Sequence, residues 1–270
     1  MAHEFDQGAV GEPFLSLTQD YPGAETYPAQ AFRVEWGPIF YRGRLDGSAR
    51  VLVIGQDPAE LEDITRRILV GTAGHRVQGF LGKLGITRSY VMINTFLYSV
   101  YGQQGGEQHK DDAAIVAYRD SWLTALTSTD AFDAVIALGQ LADDAWSKFK
   151  SQASPDIASL PYAHITHPTQ PESSSGGDPG KLAAAIKAML ANWNAALEQL
   201  HPHIAHPDVP GSLTLYGGAF AHGDLAEVPE ADLPPGLPDW MRSSDAWAQR
   251  TGKTAADKRA NITITIPGGA

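Results

Sequence analysis

Val51-Leu52-Val53-Ile54-Gly55-Gln56-Asp57-Pro58-Ala59 is the stretch that decides how this chain is read. The unbroken apolar run Val51–Ile54 reads as a strand buried on both faces, the pattern of a parallel sheet covered by helices. It stops at a Gly and delivers an amide, a carboxylate and a turn-fixing Pro at the strand's carboxyl end. In open α/β sheets that end is where ligands bind. A second cluster, His167-Pro168-Thr169-Gln170-Pro171, follows the strand candidate Tyr162–Thr166. A carboxylate and an imidazole at two strand ends, far apart in sequence, suggest one composite site. Both residues also have ordinary uses: Asp57 can cap the next helix, and His167 can sit satisfied in a loop.

Working outward, four strands are expected at Arg50–Ile54, Tyr90–Asn94, Asp133–Leu138 and Tyr162–Thr166. Helical patterns alternate with them at Glu60–Leu69, Gly74–Leu84, Asp112–Leu126, Gln140–Phe149 and Lys181–Leu200. Alternation of this kind predicts an α/β fold, a three-layer α/β/α sandwich around a four-stranded parallel sheet. Residues 1–30, rich in Gly, Pro and polar residues, read as an irregular N-terminal arm. Residues 31–200 form the α/β domain, and 201–270 a C-terminal extension with a helix expected at Ser243–Arg259 and a strand at Asn261–Ile266.

Composition narrows the function classes. The 270-residue chain has no Cys, which removes disulfides, thiolate metal sites and iron–sulfur clusters together. No apolar run approaches the 18 residues or so of a membrane span. The start, Met1-Ala2-His3-Glu4-Phe5-Asp6, lacks a signal-peptide pattern, so a cytoplasmic location is expected. A net charge of −11 argues against a protein that coats DNA. Residues 31–90 nevertheless carry nine Lys/Arg against six acids, so a local phosphate-facing patch and scattered solvated charge are both open readings. Glu62 and Asp63 read as a solvated helix face. His201, His203 and His206 read as part of a Pro-rich linker, and neither metal nor cofactor is expected.

Here the residues reach a family. Gly55-Gln56-Asp57-Pro58 resembles the first motif of family 1 of the uracil-DNA glycosylase superfamily. Val91-Met92-Ile93-Asn94-Thr95-Phe96-Leu97 is similar to that family's strand ending in a uracil-reading Asn, and His167-Pro168-Thr169 to the start of its second motif. Arg67-Ile68-Leu69-Val70-Gly71-Thr72-Ala73-Gly74 resembles instead the family 4 pattern Arg-Pro-Phe-Val-Gly-Arg-Ala-Gly, and Asp133–Gly139 the third strand found across the superfamily. Five resemblances, in order and at matching strand ends, cover roughly residues 35–200.

The resemblance implies hydrolysis of the bond between uracil and deoxyribose. Asp57 would stabilise the oxocarbenium-like sugar and orient water, and His167 would donate to the uracil anion. Gly55, Gln56, Ala59, Leu69 and Asn94 would bind the base, with Asn94 offering both a donor and an acceptor to its edge. Pro58, Thr169, Gln170, Pro171 and Ser173 would contact DNA.

The chain also departs from the patterns. Ala59 stands where family 1 has Tyr, and Leu69 where family 4 has a stacking Phe, so either Phe96, Phe40 or Tyr41 stacks instead or the stacking is weaker. Pro171 stands where family 1 has a Leu wedge, so single-stranded or U·G substrates are expected to be favoured. The implied partner is uracil-containing DNA, with free uracil as product and a monomeric enzyme. Two other readings remain. One is a protein that traps the abasic product through His109, in the loop after the Asn-bearing strand. The other is a non-catalytic nucleotide-binding module, although the Gly-x-Gly-x-x-Gly and Walker patterns are absent. The tail, with eight acids against five bases, is expected to pack on the core away from the site and to add an edge strand.

Overall fold

The computed structural model describes residues 3–243 and 247–266. In chain order its elements are α1 (Phe14–Gln19), β1 (Tyr41–Gly43), β2 (Val51–Gly55), α2 (Glu60–Thr65), α3 (Thr72–Lys83), β3 (Tyr90–Asn94), α4 (Gly102–His109), α5 (Ala113–Thr129) and β4 (Ala134–Leu138). Then follow α6 (Gln140–Lys150), α7 (Pro155–Ala158), β5 (Tyr162–Ile165), α8 (Gln170–Ser175), α9 (Pro179–Leu200), α10 (Trp240–Ser243), β6 (Ala248–Arg250), α11 (Ala255–Ala260) and β7 (Ile262–Ile264).

The sheet order is β1-β3-β2-β4-β5. The four expected strands are parallel to one another, but the sheet has five strands, because β1 pairs antiparallel to β3 at the edge. The run Ile39–Tyr41 is only three residues long and breaks at Arg42 and Gly43, too short a signal to read as a buried strand. Arg42 is fully buried, held by groups distant in sequence. Gly43 has φ 108° and lies so close to β3 that a Cβ would come within 2.3 Å of the Tyr90 carbonyl oxygen. Only Gly fits there.

Alternate residues of each strand feed two cores, as the pleat demands. Val51, Val53, Met92 and Ile136 pack with Phe80 and Leu81 of α3 and Trp193 and Leu197 of α9. Leu52, Ile54, Val91 and Val135 pack with Trp122 and Leu126 of α5 and Trp146 of α6. Each such side chain contributes about 1.5–3 kcal/mol by leaving water. The three-layer architecture therefore follows from the apolar pattern of the central strands.

The arm and the tail are packed, not loose. Phe14 of α1 packs at a tilt against Trp122, and Tyr118 donates its hydroxyl proton to the Leu17 carbonyl at 2.6 Å. Asp6 ion-pairs with Arg67 at 2.6 Å. In the tail, Val228, Leu233, Met241 and Trp247 form a core with Leu61 and Val70. The expected edge strand is corrected: β7 pairs with β6 in a separate two-stranded sheet. The helix expected over Ser243–Arg259 is also corrected to the end of α10, β6 and α11; part of that span, 244–246, lies outside the described residues.

Candidate active site

Beyond its last sheet pair, β2 stays tied to the chain after β3. The Thr95 N–H donates to the Gly55 carbonyl and the Phe96 N–H to the Gln56 carbonyl, each at 2.9 Å. Residues 95–100 thereby wrap over the turn, and the Val100 N–H donates to Asp57 Oδ2 at 2.8 Å. Gln56 Nε2 donates to Asp57 Oδ1 at 3.1 Å. Asp57 does not cap α2. That work falls to Glu62, whose carboxylate accepts from the Ala59 N–H at 2.9 Å and the Val70 N–H at 3.3 Å. Glu62 is buried, which corrects the reading of it as solvated; it joins the Asp57 turn to the segment bearing Leu69. Burial pushes the Asp57 carboxyl up to about 7, despite its two hydrogen bonds and the nearby Arg33.

His167 follows β5. Its ring Nδ1 accepts from the Thr169 N–H at 3.3 Å and faces the Thr169 hydroxyl at 3.2 Å. An Nδ1 that accepts a backbone N–H bears no proton, so the neutral ring carries its proton on Nε2. Burial pushes the pKa of His167 down to about 4, so the ring is neutral near pH 7. Gly139 makes room beneath it: a Cβ there would lie 3.1 Å from the His167 Cβ. Arg76 ion-pairs with Glu172 at 2.7 Å and donates to the Pro168 carbonyl, which fixes the loop.

Asp57 and His167 line one cleft of about 1160 Å³ at the carboxyl ends of the parallel strands. Gln56, Ala59, Leu69, Thr169, Gln170 and Ser173 line it as well. Leu69 forms an apolar patch in a left-handed conformation, φ 54°, the kind of backbone strain that concentrates at functional sites. Its turn needs Gly74, where a Cβ would overlap the Leu69 carbonyl. No Phe, Tyr or Trp lines the cleft among the described residues. Phe96, Phe40 and Tyr41 lie elsewhere, in apolar clusters.

Other expected residues fall outside the cleft. Gly55 is buried at the strand end, and Pro58 and Pro171 are buried in the turns that start α2 and α8, where they have no surface to offer DNA. Gln170, Pro171 and Ser173 belong to the short helix α8. Asn94 lies beside Gly55, at whose Cα a Cβ would come within 2.3 Å of Asn94 Oδ1. It lines a separate cavity of about 20 Å³ with Ile39 and Phe40. Its amide makes no hydrogen bond among the described residues. His109 does not line the cleft; its Nδ1 meets Asp112 at 2.7 Å. The basic residues of 31–90 are mostly engaged: Arg42, Arg44, Arg66, Arg67, Arg76 and Lys83 are all in ion pairs, so they form no open phosphate-facing patch.

The tail is where sequence reasoning missed the site. Ala248, Gln249 and Arg250 of β6 line the cleft, and Arg250 pairs with Glu60 at 3.3 Å. The expectation that the tail packs away from the site is therefore corrected. The alternation in Asn261–Ile266 announces a strand, but no local signal says which surface it joins.

Fold and site together define an α/β protein with a carboxylate and a neutral imidazole facing one cleft at the strand ends. The family model described as the Uracil DNA glycosylase superfamily matches residues 42–184. That is more than half of the chain, and the chain belongs to this superfamily, whose members are DNA glycosylases acting on uracil-containing DNA. No curated protein matches it.

Proposed function

We propose that this protein is a monofunctional uracil-DNA glycosylase that starts base excision repair. The observation that carries the reading is the meeting, in one cleft, of Asp57 and an His167 whose Nδ1 accepts a hydrogen bond. As the bond from C1′ to N1 breaks, its electron pair goes to the uracil ring. The Nε2–H of His167 donates to the O2 where charge develops, and the Asp57 carboxylate faces the cationic sugar. Water then attacks C1′, and Asp57 takes its proton. The products are an abasic site and free uracil. These groups need no metal, and no cluster of His, Asp or Glu able to hold one occurs among the described residues.

The test is strand cleavage by alkali after incubation with oligonucleotides carrying uracil, hypoxanthine, xanthine or a thymine mismatch, in EDTA. Excision of uracil is expected. Cleavage confined to another base, or none at all, would refute the reading. A product that survives boiling in detergent would point instead to covalent trapping. With His109 held by Asp112 outside the cleft, none is expected.

Asn94 is assigned to the edge of the base because its amide is unengaged among the described residues beside the Asp57 turn. Its small cavity must widen to admit a base. Asn94→Asp should reduce the preference for uracil over cytosine about tenfold or more, since a site built on hydrogen bonds rejects a mismatched edge strongly. Unchanged selectivity in the variant would move this role to Gln56.

Substrate preference follows from α8. With Pro171 buried, this helix presents Gln170 and Ser173, and neither is an apolar wedge. Holding a base out of a matched duplex costs a few kcal/mol, less in single strands and mismatches. The kcat/KM should therefore fall in the order single strand or U·G, then U·A. Equal values on all three substrates would reveal a wedge elsewhere.

A further inference from the structure

Five side chains from three separated parts of the chain stack in one ladder beside the cleft. Arg250 lies over the Trp36 ring at 5.8 Å from its centroid, and Arg33 over the same ring at 5.0 Å. Arg33 is also 3.8 Å from the centroid of Tyr101, and Arg259 is 3.8 Å from that same centroid. Two guanidiniums at such range cannot share one face of a ring, so Tyr101 is stacked between them. The order is Arg250, Trp36, Arg33, Tyr101, Arg259: cations alternating with rings.

The charges of this ladder do not balance. Glu60 pairs with Arg250 at 3.3 Å, and Glu35 accepts the Tyr101 hydroxyl proton at 2.6 Å. Three guanidiniums thus face two carboxylates. The central Arg33 is buried, and among the described residues its Nε and Nη1 have no hydrogen-bond acceptor. A buried guanidinium N–H without a partner is costly. Burial, reinforced by Arg259, lowers the pKa of Arg33. In direct contact, the ladder thus has one guanidinium more than it has carboxylates.

The ladder's place indicates which anion suits that excess charge. Arg250 and Glu60 line the cleft, and so does Val100, which precedes Tyr101 and donates to Asp57. Arg33 is close enough to Asp57 to lower its pKa. The excess positive charge therefore sits at the rim next to the reacting sugar. Arg33 lies before the segment that defines the family, and Arg250 and Arg259 lie after it.

We propose that this ladder binds a backbone phosphodiester of the substrate strand, flanking the extruded nucleotide, with Arg250 and Arg259 of the C-terminal segment as its outer contacts. The proposal deepens the glycosylase reading and rests on it for the identity of the strand. Planar guanidiniums held by ring stacking suit phosphate oxygens, because their donors are already oriented. An acidic chain that spends most of its other arginines on internal ion pairs thereby keeps a local attraction for DNA.

The experiment uses the full chain and a labelled single-stranded oligonucleotide with a tetrahydrofuran abasic analogue, which needs no excision. Arg250→Gln and Arg259→Gln should each weaken binding about tenfold. The slope of log Kd against log salt should fall by about 0.7, the value for one contact on a single strand. Lys258→Gln, a change on α11 off the ladder, should alter neither quantity. A neutral methylphosphonate beside the abasic position should weaken the wild type but add little in either Arg variant. Arg259 is exposed on a short helix, so its variant tests the contact with no threat to the fold. Wild-type Kd, salt slope and methylphosphonate effect in both Arg variants would overturn the proposal. Uracil excision by the same wild-type preparation reads the glycosylase assignment separately: excision with ladder-independent binding sinks only the ladder.

Discussion

Asp57→Asn is expected to slow single-turnover uracil excision by about two to three orders of magnitude, the usual loss when a preorganised electrostatic group is removed. The same substitution tests the environment of the carboxylate. In the free protein burial raises its pKa to about 7, and the role proposed for it requires the ionised form. The kcat/KM should therefore rise with pH through about 7 and level off above it. His167, lowered to about 4, stays neutral from pH 5 to 8 and adds no limb there. Stability should move the other way. A carboxyl whose folded pKa lies above its ordinary 3.8 favours folding most below that value, and that contribution is lost as pH rises through 7. Asp57→Asn should thus melt higher than the wild type at pH 8, with the gain fading near pH 4. A near-normal rate in the variant would mean that another group handles the sugar or the water.

The second large effect is on stability. Asp232, in the tail, is fully buried and holds Arg42 of β1 at 3.1 Å, together with Arg44 and the Tyr90 hydroxyl. Arg42 is equally buried and also donates to Gln78 at 3.2 Å. Removing one partner of such a pair leaves a charge in the interior and costs about 3–5 kcal/mol. At about 2–4 °C per kcal/mol for a chain of this class, Asp232→Ala should lower the melting temperature by roughly 10 °C. Calorimetry on the full chain reads this directly. A shift under about 2 °C would show that the tail is not anchored through this network. Because β6 lines the cleft, loss of the anchor should weaken substrate binding as well as stability. A truncation after Gln199 would therefore alter more than the melting temperature.

The central strands were readable because their information is local. Four apolar residues and a Gly suffice for β2, and the alternation with helices suffices for a parallel sheet. The helix over Thr72–Lys83 shows in the spacing of Val77, Phe80, Leu81 and Leu84. Asp57 and His167 were readable for a related reason: each lies within three residues of a strand end, and strand ends of such sheets converge. Glu62 was misread because an acid in a first helical turn is ordinarily solvated. Here two backbone N–H groups, one from the Asp57 turn and one from the segment bearing Leu69, pull it inside.

The sequence by itself thus determined the three-layer fold, the four parallel strands and the carboxylate–imidazole pair, each through a pattern a few residues long. Only the tertiary structure decided the fifth strand, since Arg42 enters the interior through an acid 190 residues away. Tertiary packing likewise separated Asn94 from the cleft, brought β6 to its wall and stacked Arg33, Arg250 and Arg259 on two rings. Charge is long-ranged and has no period along a chain. An arginine reads alike in sequence whether it faces solvent, a buried aspartate or a cleft, and what surrounds it in the folded chain decides between them.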